Sequence, residues 1–417
     1  MAAIPSPYLT KAITKIDIDE GRGPNYSYAA ANCQGWRKTQ EDAHFALVKF
    51  QQNTSLFGVF DGHNGPEVAK FVATHFPIFL AKNISYNSGQ IERGIQEVFM
   101  LLDETLMKKE ANDELLKYRE KQNSLTTNSG TAINQVPVQT PAEMKNMPNV
   151  AVFTGSTGCV LLIKNDIYYC ANVGDTRCMV ARDSKAHLLS KDHKPDQPEE
   201  RERIERAGGT VAYGRINMCI DVSRAFGDFH LKNNPKFNSK EQMVTAWPFT
   251  MVEQVHSKSD QFIVLMCDGI WNAMTNQDVV DYVRRSINRN VPLVKICEDI
   301  IRQILPATMP ESGIIGKDNM TVMIIRPVYT TLEQSSSKLN SASKESAKMR
   351  LRDQQVTNVK SSAIVVGRKK SGSLSITKQP APYERRSKSK IRNKSGKSLD
   401  KNGAPCKPVR SKDGLTK

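Results

Sequence analysis

The sequence predicts an α+β fold in which antiparallel sheets carry helices packed on them. Runs rich in β-branched and aromatic residues are bounded by turn residues, as strands are. They read SLFGVF, VAVFTGSTGCVLLI, DIYYCANVG, QFIVLMC and MTVMIIRPV. Hairpin-like pairs of these runs are separated by pairs of helical segments, so strands and helices do not alternate one by one. That order favours antiparallel sheets over a parallel doubly wound sheet.

The helices are marked by periodicity and by end signals. Pro66 suits the first turn of a helix through EVAKFVATHFPIFL, which Pro77 should bend or end. PEERERIERAGG begins with proline and acids and ends at a glycine pair, and NQDVVDYVRRSI and VPLVKICEDIIRQIL form a further helical pair. One more helix is indicated by an apolar face at helical spacing, formed by Ile91, Ile95, Val98, Phe99, Leu102 and Leu106.

Composition and the first residues indicate a cytoplasmic or nuclear protein. In 417 residues no apolar stretch approaches the roughly 20 needed to cross a membrane. The start has no continuous apolar core of a secretory signal, and Ala2 replaces the glycine that N-myristoylation needs. Eight scattered cysteines without a C-x-x-C pair are typical of reduced thiols. We therefore expect no membrane association and no secretion.

The basic charge is confined to the C-terminal segment. Residues 331–417 carry 22 Lys+Arg and 6 Asp+Glu residues, which accounts for the whole net charge of +16. This Ser/Lys/Arg-rich segment has too few apolar residues to offset its ordering entropy, so a disordered tail is predicted. Its clusters GRKK and YERRSKSKIRNKSGK suit acidic partners, import machinery or nucleic acid, or a solvated, phosphorylatable surface.

Acidic residues recur where predicted strands begin or end. Asp61, Asp175 and Asp268 each follow an apolar run, and Asp318 stands just before MTVMII. Each alone is typical of a turn. If the strands lie side by side, however, the carboxylates converge, and converging carboxylates need a cation to neutralise them. Oxygen ligands without paired His or Cys favour Mg²⁺ or Mn²⁺.

The segment QGWRKTQEDAHF combines a guanidinium with two acids ahead of an apolar strand. Arg37 and Glu41 could form a local salt bridge on a solvated face. Alternatively, Glu41 and Asp42 serve the metal site while the planar donor fork of Arg37 clamps a phosphate.

Eight motifs follow one another between residues 23 and 328. They are GWRKTQEDAH, GVFDGHNG, GSTGCVLLI, ANVGDTRCMVAR, LSKDHKPDQPEERERIERAGG, VSRAFGD, LMCDGIW and KDNMTV. In this order they resemble the metal-dependent serine/threonine protein phosphatases of type 2C. The resemblance implies a four-layer α-β-β-α sandwich of two antiparallel sheets flanked by antiparallel helix pairs. It divides the chain into an N-terminal extension (1–22), a catalytic domain (23–328) with a loop insertion at about 111–150, and the tail (329–417).

The resemblance also implies roles for individual residues. Two Mg²⁺ or Mn²⁺ ions would be bridged by Asp61 and a water, with Asp268 and Asp318 on one ion. The backbone carbonyl of Gly62 and, through waters, Glu41 would serve the other ion. Arg37 would hold the substrate phosphate. His63 would be the general acid for the departing oxygen, and Asp42 would support the ligands from behind.

Several positions depart from the family pattern. Asn272 stands where a second aspartate is usual, which weakens a third metal site with Asp175. Asp221 stands where a small apolar residue is usual and needs a partner that the sequence does not identify. His193 is interpreted as a structural histidine, and Asp228 as a turn or cap acid outside the metal set.

The sequence therefore predicts a monomeric phosphatase that hydrolyses phosphoserine and phosphothreonine in phosphoprotein substrates, without a phosphoenzyme. No C-x₅-R spacing of a thiol-based phosphatase occurs. The alternatives are a catalytically silent scaffold and a protein that binds partners or nucleic acid through its basic tail.

Overall fold

The computed structural model describes residues 6–128, 148–310, 313 and 315–328. The chain divides into two units, residues 1–338 and 339–417, and all described residues lie in the first. The predicted disordered tail (329–417) and residues 129–147 of the predicted insertion lie outside the described residues. Within the described part, no helix has both the length and the apolar character that a membrane span requires.

The strands are numbered in chain order. They are β1 (Tyr8–Arg22), β2 (Tyr26–Arg37), β3 (Ala43–Gln51), β4 (Thr54–Phe60), β5 (Gly62–His63), β6 (Gly155–Ser156), β7 (Gly158–Lys164), β8 (Ile167–Val173), β9 (Arg177–Arg182), β10 (Lys185–Leu188), β11 (Val211–Ala212), β12 (Arg215–Ile216), β13 (Phe226–Gly227), β14 (Phe249–Gln254), β15 (Asp260–Met266) and β16 (Met320–Pro327).

In the described part of the chain the helices are α1 (Glu67–Lys82), α2 (Ile84–Asn87), α3 (Ile91–Leu106), α4 (Lys109–Asn128), α5 (Pro198–Arg206), α6 (Asp268–Trp271), α7 (Asn276–Asn288) and α8 (Leu293–Ile304). Five of these helices, α1, α3, α5, α7 and α8, lie in predicted helical segments. Every residue of the predicted apolar face on α3 is buried.

Two antiparallel sheets form the centre of the described fold. One has six strands in the order β1-β2-β16-β15-β9-β10, and the other has five in the order β14-β8-β7-β4-β3. A buried apolar cluster that includes Phe57, Leu161 and Leu265 joins the facing sides of the sheets. The predicted fold class is confirmed.

Each sheet is covered on its outer side by helices. Phe60, Phe76 and Phe99 belong to a cluster shared by the five-stranded sheet and α1, α3 and α4. Val264, Val280 and Ile300 belong to a cluster shared by the six-stranded sheet, α7 and α8. The layers therefore run helix, sheet, sheet, helix, because each sheet has one apolar face toward its partner and one toward its helices.

The N-terminal boundary differs from the prediction. Residues Tyr8–Arg22, assigned to an extension, form the edge strand β1, which pairs with β2 from Tyr8↔Arg37 to Arg22↔Ser27. Exposed and partly buried residues mix along this strand. An edge strand in this half-exposed setting needs no continuous apolar run, which is why the segment resembles an extension in sequence.

Three local predictions are also wrong. Residues 111–128, assigned to a loop insertion, form most of α4, because Ala111 and Leu115 are buried against the α1 side of the core. The helix α1 continues past Pro77 to Lys82, held by buried Phe76 and Leu80 on either side of the proline. The start of VAVFTGSTGCVLLI forms a short 3₁₀ turn, Val150–Val152, before the strands begin.

Candidate metal centre and active site

The predicted acidic residues meet at one end of the two sheets. Asp61 follows β4 directly, Asp268 opens α6 just after β15, and Asp318 lies two residues before β16. A cleft of about 540 Å³ opens over this end. Its lining includes Arg37, Glu41, Asp61, Gly62, His63, Asp175, Asp268 and Asp318. Asp42 lies beneath and is 7% exposed. The structure thus brings together every residue of the predicted site.

The turn at Asp61-Gly62 is fixed by neighbouring backbone. The carbonyl of Asp61 accepts hydrogen bonds from the N–H of Thr157 at 2.9 Å and from the hydroxyl of Ser156 at 3.2 Å. A Cβ atom on Gly62 would lie 2.4 Å from the carbonyl oxygen of Glu41. Only glycine therefore allows the strand end and the Glu41 loop to pack so closely.

The clustered carboxylates raise one another's pKa. Burial, followed by the charges of Asp42 and Asp268, holds the pKa of Asp61 well above its ordinary value. Burial, followed by Asp175 and Asp318, does the same for Asp268. Burial raises the pKa of Asp42 to about 7, although the Thr321 hydroxyl donates to it at 2.6 Å. At neutral pH the cluster therefore lacks the positive charge that would neutralise its carboxylates.

A divalent cation fits this donor set. The oxygen Oδ1 of Asp42 is buried without a hydrogen-bond partner among the described residues. The available donors are all oxygen atoms: the carboxylates of Asp61, Asp268 and Asp318 and the backbone carbonyl of Gly62. Mg²⁺ and Mn²⁺ prefer such ligands. A hard cation would offset the repulsion that contributes to the raised pKa values of Asp61 and Asp268.

Arg37 and Glu41 are held at the mouth of the same cluster. The guanidinium of Arg37 donates to Oδ2 of Asp318 at 2.6 Å, and its Nε is buried without a partner among the described residues. Glu41 accepts the hydroxyl of Thr39 at 2.5 Å and the N–H of Gly65 at 3.2 Å. The local Arg37–Glu41 salt bridge is not what orients Arg37, because its partner is Asp318.

His63 has a partner that sequence reasoning missed. Its Nε2 lies 2.6 Å from Oδ2 of Asp228, a side chain that is 1% exposed. Burial lowers the pKa of His63, but the charge and hydrogen bond of Asp228 outweigh it, so the pKa is raised overall. His63 is thus kept protonated to higher pH, which suits a proton donor. No sequence signal marked this pair, because an aspartate after a glycine is typical of a turn; in the structure Asp228 has a left-handed backbone (φ 56°) after Gly227 (φ 73°).

Replacing Gly155 by alanine is expected to break the His63–Asp228 pair. A Cβ atom there would lie 2.1 Å from Oδ2 of Asp228 and 2.4 Å from Nε2 of His63. Losing Asp228 as a partner removes the contribution that raises the pKa of His63, so this pKa should fall in an NMR titration. Glu110→Ala, at an exposed position of α4, is the control and should leave it unchanged. An unchanged His63 pKa in Gly155→Ala would contradict this geometry.

The residues around Asp175 do not fit a third metal ion. The ammonium of Lys194 lies 2.5 Å from Oδ2 of Asp175 and supplies the positive charge itself. The amide of Asn272 donates to Oδ2 of Asp268 at 3.2 Å rather than offering an oxygen. Asp175 is therefore part of an ion pair at the edge of the cleft.

Two further residues singled out from the sequence, His193 and Asp221, contact neighbouring protein groups, and Tyr8 is an addition to the cleft. His193 is fully buried and its Nδ1 lies 3.1 Å from the Gly174 carbonyl, in agreement with a structural histidine. Asp221 is exposed rather than buried in a strand, and Lys194 and Arg215 lie 3.9 and 3.8 Å from its carboxylate. Tyr8, which the sequence did not single out, lines the cleft from β1 beside Arg37.

Comparison with known proteins gives one consistent result. A family model described as Protein phosphatase 2C matches residues 26–135 and 117–309. Probable protein phosphatase 2C 60 of Arabidopsis thaliana is 34% identical over 329 residues, covering 76% of this chain and 91% of that protein. Protein phosphatase 2C 1 of Paramecium tetraurelia is 35% identical over 323 residues, covering 76% and 98%. A solved phosphatase structure from Toxoplasma gondii is similar in fold, with a TM-score of 0.56 at 22% identity, covering 76% and 98%.

Proposed function

Because the chain belongs to the protein phosphatase 2C family and is a protein phosphatase, we propose that it hydrolyses phosphoserine and phosphothreonine with two Mg²⁺ or Mn²⁺ ions and without a phosphoenzyme. The observation that carries the proposal is one cleft that contains a carboxylate cluster, a guanidinium and an imidazole whose pKa is raised. Phosphate ester hydrolysis needs these functions together.

The carboxylates of Asp61, Asp268 and Asp318 and the carbonyl of Gly62 would hold the ions, with Glu41 beside them. When bound, the ions would polarise the phosphate and activate a water for in-line attack. Asp42, beneath Asp61 and bonded to Thr321, keeps this floor of the cleft in place.

Phosphate binding and proton donation would be carried out by side chains at the mouth of the cleft. Arg37 presents a planar donor fork that matches phosphate oxygens, and its bond to Asp318 orients the fork. His63 gives a proton to the departing serine or threonine oxygen. With Nε2 engaged by Asp228, Nδ1 is the nitrogen left to reach substrate. An alkoxide is a poor leaving group without that proton.

Phosphate release from a phosphoserine peptide tests the proposal. We expect release in Mn²⁺ or Mg²⁺ and none in excess chelator, because the acidic cluster cannot bind a phosphate dianion until cations neutralise it. Full activity in chelator would contradict the metal requirement. Calorimetry that found an intact fold but neither metal binding nor turnover would favour the silent scaffold instead.

A further inference from the structure

A cysteine thiol lies in the floor of the metal centre and has no role in the proposed chemistry. Ligand atoms of Asp42, Asp61 and Cys267 all lie within 4.8 Å of one another. Cys267 is fully buried, Asp42 is nearly so, and Asp61 faces the cleft. The three side chains therefore bring two oxygen donors and one sulfur donor together, with Asp61 on the cleft side and Asp42 and Cys267 buried behind it.

The hydrogen bonds around this trio leave room for one more partner. Oδ2 of Asp42 accepts the Thr321 hydroxyl, while its buried Oδ1 has no partner among the described residues. The thiol of Cys267 donates to the carbonyl of Asn319 at 3.6 Å, a bond that is lost when a metal ion displaces the proton. The backbone N–H of Thr321 donates to Sγ of Cys267 at 3.1 Å. That N–H would remain in place for a thiolate and would stabilise its charge, as partners behind metal ligands commonly do.

The donor set of Asp42, Asp61 and Cys267 includes a sulfur atom, whereas the proposed ligands of Mg²⁺ or Mn²⁺ are all oxygen atoms. A thiolate with carboxylates suits Zn²⁺ and similar ions, whereas Mg²⁺ and Mn²⁺ prefer oxygen alone. Because a thiol must lose its proton to bind a metal, occupation of this site requires an ion with high affinity for sulfur.

We propose that Asp42, Asp61 and Cys267 form a second cation site, selective for thiophilic divalent ions such as Zn²⁺ and Cd²⁺, which competes with Mg²⁺ or Mn²⁺ for Asp61. Binding forms one metal–sulfur bond, releases the thiol proton to solvent and changes no oxidation state. Ligand distances of about 2.0–2.3 Å require the three donors to close slightly around the ion. The site stands on its own geometry, and only the competition with hard ions rests on the proposed function.

Cadmium titration of the full chain tests the site directly. Cd²⁺ bound to a thiolate gives an ultraviolet charge-transfer band, which is measured in a Cys219→Ser, Cys406→Ser background to reduce binding at other thiols. We expect a saturable band with one equivalent of Cd²⁺. Cys267→Ser should remove this band and weaken Cd²⁺ binding at least about tenfold, since even partners behind a ligand contribute roughly 10–100-fold. Cys297→Ser, which alters another buried thiol, is the matched control and should keep the band.

The possible results separate the site from the phosphatase mechanism. If Mn²⁺ raises the Cd²⁺ concentration that is needed to form the band, the result supports both the site and the competition. A band without metal-dependent turnover supports the site while the proposed function fails. A band unchanged by Cys267→Ser, or no band, overturns the site even if turnover requires Mn²⁺. Should Cys267→Ser not fold, X-ray absorption of the background protein with one equivalent of Cd²⁺ decides: a sulfur ligand supports the site and all-oxygen coordination overturns it.

Discussion

Asp61→Asn is expected to lower metal-dependent phosphate release by at least about 10³-fold, equivalent to roughly 4 kcal/mol of transition-state stabilisation. Asp61 lies at the centre of the acidic cluster, where its pKa is affected by Asp42, Asp268, Asp318 and Asp175. A carboxylate can neutralise two cations, whereas a neutral amide of the same size offers one weak oxygen ligand. The measurement is kcat/KM on a phosphoserine peptide in saturating Mn²⁺.

The same substitution should stabilise the metal-free protein. The folded-state pKa of Asp61 is raised, so its contribution to stability is present at low pH and lost as pH rises through that pKa. The wild-type protein in chelator should therefore lose unfolding free energy between acidic and alkaline pH. Asp61→Asn should lose less, because the amide does not ionise.

Urea unfolding in chelator at two pH values measures this difference. The matched control is Asp113→Asn, an exposed aspartate on α4, which should leave both activity and the pH dependence unchanged. Retained activity in Asp61→Asn would contradict its role at the metals. A steeper loss of stability with pH would contradict the repulsion inferred for the cluster.

The residues that could be predicted from sequence share one property: a strand end fixes their position. Asp61, Asp268 and Asp318 lie at strand ends, and the rigidity of a sheet carries each carboxylate to the same rim. A short apolar run followed by an acid is visible in one sequence. Convergence of several such runs then follows once the sheets are antiparallel.

The residues that escaped prediction depend on distant or weakly patterned partners. Asp228 meets His63 across 165 residues, and turn formation alone accounts for an aspartate after glycine. The Lys194–Asp175 pair joins a loop to a strand end, and no local pattern marks it. The edge strand β1 alternates too irregularly between exposed and partly buried residues to be distinguished from an extension.

The turn after β4 depends both on its local sequence and on contacts with residues distant in the chain. Its sequence, Asp61-Gly62-His63, explains why the chain turns and why Glu41 can approach. It does not explain why the pKa of His63 is raised, because that depends on Asp228. The environment of the proposed general acid in this turn is therefore set by a tertiary contact.

His63→Gln is expected to slow hydrolysis of a phosphoserine peptide by about 10²–10⁴-fold, the usual contribution of a general acid. Hydrolysis of an aryl phosphate such as p-nitrophenyl phosphate should change far less, since the phenolate leaves without a proton. The ratio of the two losses measures proton donation. Equal losses on both substrates would contradict the general-acid role and would favour a structural role for His63.

Asp228→Asn should shift the same reaction along the pH axis. Asp228 raises the pKa of His63 against the effect of burial, which lowers it. Without that charge the pKa of His63 falls, so less of the imidazole is protonated at neutral pH. The limb of kcat/KM that declines toward alkaline pH should therefore move to lower pH for the phosphoserine peptide, while the aryl phosphate profile stays in place. A purely structural Asp228 would instead lower both rates without moving either limb, because a misplaced imidazole loses activity at every pH.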